Sequence, residues 1–236
     1  MLKKWLLLLT MSLLSGHSVA ELVVNRSIVI YDDPASVKED VVVINSDSER
    51  NLYVQVDAYR VMAPGSVNEE LLKIVPDVAP EFLVSPNKLV VPPSARNLVR
   101  FLDLAGDRAS ERVYRVNLIP VTPPVELEDT GEGRIASRLE VVVAYQVLAI
   151  VLPHDPQPEL SFSGEGGLAR FGNTGNANYL LTDGQQCNPA DPADCRKLQN
   201  RRVYPGNEWT LSLPFDGPFT YKVKTHNGLS SRQFDL

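Results

Sequence analysis

Histidines, cysteines and clustered carboxylates are the side chains from which most enzyme sites are built, and this chain uses them sparingly. Beyond the first twenty residues the histidines are His154, set among Pro153, Pro156 and Pro158, and His226, beside the turn pair Asn227-Gly228. A general base must sit within hydrogen-bond reach of a nucleophile and be oriented by a third group, and loop histidines of this kind read as solvated residues instead. The carboxylates Glu126, Glu128, Asp129 and Glu132 crowd the stretch Pro120–Gly133, which is rich in Pro, Glu, Asp and Gly. They read as a solvated charge run, because paired catalytic carboxylates need a cleft to perturb their pKa values. No glycine-rich phosphate loop stands between a strand and a helix. Neither histidine has zinc spacing to Cys187 and Cys195. The residues therefore point to a protein that is not an enzyme and needs no cofactor and no metal.

The cysteines gain their meaning from the compartment. Lys3-Lys4, the apolar run Trp5–Leu14 and the small-residue pattern Ser18-Val19-Ala20 have the layout of a secretory signal peptide, so residues 1–20 are read as a leader cut after Ala20. In an exported chain, Cys187 and Cys195, set in a loop rich in Pro, Asp and Asn, read as one short disulfide loop. The formal net charge of −6 argues against a nucleic-acid partner, which requires clustered excess Lys and Arg.

The elements are all β in pattern. Leu139–Leu152, LEVVVAYQVLAIVL, is the most apolar and most β-branched stretch. It is longer than the ~5–6 residues usual for a strand, and too short for the ~20 of a membrane span, so no membrane insertion is expected. A long exposed strand templates pairing with other chains, so either the chain covers it or pairing is its purpose. Before it, Leu22–Ile30, Val41–Ile44, Leu52–Val61, Phe82–Val84, Lys88–Val91, Asn97–Leu102 and Val113–Ile119 read as strands; Leu52–Val61 has the clearest period of two. Together they predict one immunoglobulin-like sandwich over residues 21–152. The proline-spaced segment 153–158 reads as a stiff linker, and residues 159–236 as a smaller β domain with strands near 159–163, 168–172, 178–183, 201–204, 208–213, 219–225 and 230–234.

Taken in order, Phe82–Arg100 (FLVSPNKLVVPPSARNLVR), Val113–Pro120 (VYRVNLIP), the long strand ending at Leu152-Pro153, Phe171–Asn178 (FGNTGNAN), the cysteine pair and the turn Tyr204-Pro205-Gly206 resemble the periplasmic pilus-assembly chaperones of the PapD-like superfamily, most of all the branch serving alternate or common pili. That resemblance implies an all-β chain of two immunoglobulin-like sandwiches in the periplasm. It implies partners as well: pilus subunits that lack their final strand, and an outer-membrane usher that receives them. Self-association of the free chain is one way to cover the strand. Matching back from Pro153, the side chains lent to a pilus subunit are Leu139, Val141 and Val143, with Tyr145 next; the opposite face, Val142, Ala144, Leu148 and Ile150, is assigned to the chain's own sandwich.

The best-known branch holds the subunit's terminal carboxylate with an Arg on the first strand and a Lys on the long strand. Here Ile28 and Leu148 occupy those places, with Arg26 one alternation from the first. Arg115, a charge on an otherwise apolar strand, is the leading replacement, and Arg26 and Arg100 follow it; all three also fit as exposed sandwich-face residues. A pilus subunit or adhesin, or a carbohydrate-binding β-sandwich, is the competing reading. The first should lack the strand that Leu139–Leu152 supplies; the second wants a cleft of aromatics, for which Trp209 is the lone tryptophan beyond the leader.

Overall fold

The computed structural model describes residues 22–33, 35–75, 80–106, 108–121 and 142–236. Every regular element among them is a strand. The first sandwich contains β1 (Leu22–Val24), β2 (Ile28–Tyr31), β3 (Lys38–Asn45), β4 (Leu52–Met62), β5 (Glu70–Lys73), β6 (Phe82–Ser85), β7 (Lys88–Val91), β8 (Arg96–Asp103), β9 (Arg112–Pro120) and β10 (Tyr145–Val151). One sheet runs β1-β3-β8-β6; the other runs β2-β10-β9-β4-β5, with β7 also on β4. The expected single strand over 22–30 is broken at Asn25–Ser27, where the chain crosses sheets. Its first part pairs antiparallel with β3 and its second lies parallel to β10.

Alternation explains the packing. Along β4, Leu52, Val54, Val56 and Ala58 are buried while the intervening Tyr53, Gln55, Asp57 and Tyr59 are not. The inner faces of the two sheets meet in one cluster containing Val41, Val54, Phe82, Phe101, Tyr114, Val116 and Val147. Phe82 stacks on Tyr114 with ring centres 4.1 Å apart and meets Phe101 edge-on at 6.0 Å. At one end of this core Asp103 accepts hydrogen bonds from Arg108 Nε and Arg112 Nη2, each at 2.9 Å, in a group almost wholly out of water. Charges so placed persist only when paired and hydrogen-bonded. Arg108 satisfies its remaining donors on the carbonyls of Asp33 and Ser36.

The second sandwich has β11 (Leu160–Glu165), β12 (Leu168–Asn173), β13 (Tyr179–Asn188), β14 (Asp191–Leu198), β15 (Arg201–Val203), β16 (Glu208–Ser212), β17 (Phe219–Thr225) and β18 (Gly228–Phe234). Its sheets run β11-β12-β16 and β14-β13-β17-β18, with β15 also on β13. Phe171, Phe219, Tyr221 and Phe234 form its aromatic centre. Cys187 and Cys195 are disulfide-bonded. They are not in an irregular loop as expected: they face each other across the β13–β14 hairpin. Polar, exposed strands of this kind carry no hydrophobic alternation by which sequence could reveal them.

The two halves are fastened at the elbow. Arg201 Nη2 donates to Gly65 O at 2.8 Å, and Asn207 Nδ2 reaches Pro64 O, both from the second sandwich to the β4–β5 loop. Gly65 is required there, because its φ of 74° lies in the left-handed region and a Cβ would come within 2.9 Å of the Tyr204 ring. The linker is held from both sides: His154 N donates to Arg108 O at 2.9 Å, and Asn176 Nδ2 donates to Asp155 O at 3.0 Å. Buried Asn173 donates from Nδ2 to Ala177 O and Val203 O at 2.9 and 3.0 Å, fixing the turn beside that linker.

Candidate functional site

Strand β10 is the central element of the site. It is hydrogen-bonded on both sides, parallel to β2 and antiparallel to β9. Its odd-numbered residues Val147, Ala149 and Val151 are completely buried in the first core, with Tyr145 packed against that core. Its even-numbered residues face the second sandwich: Leu148 touches the group Val61, Val113 and Tyr204, and Ile150 and Leu152 pack with Ala177 and Ile30. This corrects the expected assignment of faces. Leu148 and Ile150 line the cleft between the sandwiches, and the face of Val143 and Tyr145 is the one that continues into the chain's own interior. The run hides its period because it is covered on both sides, by its own sandwich and by its neighbour.

The strand ends at Tyr145, short of the expected span. Val142 and Val143 lie outside it and stand 47% and 45% exposed, while Leu139 and Val141 lie outside the described residues. Counting by two from the buried Val147 through Tyr145 brings the core-side face into the open at Val143.

Across the cleft-facing side, Ile28, Leu148, Arg115 and Tyr59 stand in register on β2, β10, β9 and β4. The two positions expected to carry apolar replacements are therefore immediate neighbours, with Ile28 46% exposed beside half-buried Leu148. Arg115 stands on the other flank of Leu148. Its Nη2 donates to Glu69 Oε1 at 2.5 Å, and Glu69 Oε2 accepts the Gly65 N–H at 2.7 Å. Arg26 instead turns to the opposite sheet, donating to Glu39 Oε2 at 2.7 Å and to Asp40 O. Arg100 lies on that sheet too, on β8, in a two-pronged pair with Asp40 at 2.8 and 2.9 Å. The Arg100 hydrogen bond holds the Asp40 carboxyl below its ordinary range. Of the three arginines, only Arg115 is in register with the Ile28–Leu148 pair.

Sequence reasoning missed two acidic residues here. Glu69 pairs with an arginine 46 positions away. Glu111 reaches across the elbow, where its Oε2 accepts both the backbone N–H and the Nδ2 of Asn178 at 2.7 Å. Burial pushes the Glu111 carboxyl up, against the hydrogen bonds from Asn178. Burial also pushes the Tyr204 phenol up, with Arg202 and Arg115 pulling it down and Glu111 and Glu69 adding to the rise. No cluster of His, Cys, Asp or Glu suited to a metal occurs among the described residues.

No family model matches the chain. A curated relative, a CS1 fimbrial protein of Escherichia coli, is 27% identical over 195 residues, covering 80% of this chain and 81% of that one. Among solved structures, the class 5 fimbriae chaperone CfaA superposes with a TM-score of 0.61 at 20% identity, over 90% of this chain and 98% of its own. The fold is that of the fimbrial chaperones. A chain from a chaperone–tip adhesin complex of CFA/I fimbriae biogenesis shares it, with a TM-score of 0.62 at 20% identity over 92% of this chain and 98% of that one. Within this chaperone fold the cleft between the sandwiches is lined by Ile28, Leu148, Arg115 and Tyr204, and β10 forms its floor.

Proposed function

We propose that the chain is a periplasmic chaperone that stabilises pilus subunits by lending them the strand leading into β10 and then delivers them to an outer-membrane usher. The observation that carries this reading is the continuity of one strand face, which is core at Val147 and open at Val143. An apolar face presented in extended chain gives main-chain hydrogen bonds for affinity and alternate side chains for pockets, the mode of β-strand addition. Leu139, Val141 and Val143 are the lent side chains, and Tyr145 marks where the face returns to the chaperone's own core. Residues 1–20 act as the export leader, 21–152 as the lending sandwich, 153–158 as the linker and 159–236 as the second wall of the cleft.

Arg115 is the anchor for the subunit's terminal carboxylate. A guanidinium offers a forked set of donors to a carboxylate leaving water, and this one flanks Leu148 on the same face of the sheet. The alternative of a pilus subunit is disfavoured, because β10 completes the first sandwich between β2 and β9. Co-expression of a fimbrial subunit with wild type and with Val141→Asp and Val143→Asp forms tests the reading. The aspartates are expected to abolish co-purification and lower subunit levels; unchanged levels and recovery would refute strand lending.

A further inference from the structure

The geometry points to Glu69 as a resident carboxylate that occupies Arg115 until a subunit's terminal carboxylate displaces it. The inference rests on the assignment of Arg115 as anchor, and it concerns how tightly and how selectively that anchor binds. Glu69 does more than neutralise a stray charge. One oxygen takes the Arg115 guanidinium at 2.5 Å, and the other is held by the Gly65 N–H at 2.7 Å. Gly65 is itself fixed, since its carbonyl accepts Arg201 Nη2 at 2.8 Å and its Cα lies against the Tyr204 ring. The loop is also closed internally, with Ser66 N donating to Ala63 O and Glu69 N to Ser66 O. The carboxylate is thus preorganised at the anchor by the elbow.

Charge balance follows. In the free protein the partly exposed Arg115, 31% open at its side chain, is satisfied, so a loose anion gains little by approaching it. A terminal carboxylate delivered by a strand already aligned along the cleft arrives at high effective concentration and can compete. The resident pair therefore selects for ligands that engage strand and anchor together. The displaced Glu69 keeps its Gly65 hydrogen bond, so the exchange need not open the elbow.

The test uses the mature full chain and two fluorescein-labelled peptides of alternating threonine and valine, one with a free terminal carboxylate and one with a terminal amide. The ratio of their affinities reports the anchor alone. In Glu69→Gln, which retains an acceptor for Gly65 N–H but loses the charge, the ratio should rise about fivefold, the size of a partly exposed ion pair. In Arg115→Gln, alone or with Glu69→Gln, it should fall to unity. A ratio unchanged by Glu69→Gln but abolished by Arg115→Gln overturns the resident carboxylate and leaves the anchor standing. A ratio indifferent to Arg115→Gln overturns the anchor and the inference with it. Failure of Glu69→Gln to bind the carboxylate peptide at all overturns the inference as well, since its anchor would then be unobstructed.

Discussion

Val143 and Val147 sit on the same face of one strand, four residues apart, and truncating each to alanine should separate lending from folding. Val147 is fully buried, so Val147→Ala removes two methyl-sized groups at ~0.8 kcal/mol each and leaves a cavity, for a total of roughly 2–3 kcal/mol. Val143 is 45% exposed and outside the strand, so Val143→Ala should stay within about 0.5 kcal/mol of wild type. Binding should show the reverse order. If Val143 enters a subunit's interior, its truncation costs about 1–2 kcal/mol there, a loss of roughly 5- to 30-fold in affinity. Urea unfolding followed by circular dichroism gives the first quantity, and titration of a purified pilus subunit gives the second. Equal stability losses at the two positions, or full binding by Val143→Ala, would refute the reasoning about the shared face.

Asn173→Leu removes the donors to Ala177 O and Val203 O and strands both carbonyls in a dry site, for a loss of about 3 kcal/mol or more, read as a lower thermal midpoint. Glu111 makes a pH prediction with a definite sign. Burial raises its folded-state pKa, so the folded protein holds the proton more tightly than the unfolded chain, and this contribution to stability is present at low pH and lost as pH rises through the carboxylate range. Glu111→Gln should therefore be more stable than wild type at pH 7, with the difference closing on acidification; urea midpoints of both proteins across the carboxylate range check it.

The strand content of the first sandwich was legible wherever one face met solvent, as along β4, because alternation then survives in the sequence. It failed at both extremes of polarity. β5 has all four residues exposed and β14 is exposed along most of its length, so neither leaves an apolar period to read. From Val147 to Leu152 both faces are covered, and a continuous apolar run does not say which side is which. The exchange of faces on β10 follows from that ambiguity. The neighbour relation of Ile28 and Leu148 could be guessed from the family resemblance, but the pairing of Arg115 with Glu69 could not. It depends on where a loop between two strands folds back, a long-range fact that local pattern does not encode.

The elbow is clasped mostly through main-chain oxygens, those of Pro64, Gly65, Arg108 and Asp155. Such oxygens survive most changes of the residue that bears them. The angle between the two halves is thereby insulated from drift in the side chains that line the cleft. A descendant of this protein could rewrite Ile28, Leu148 or Arg115 to suit a different cargo without having to reinvent its hinge.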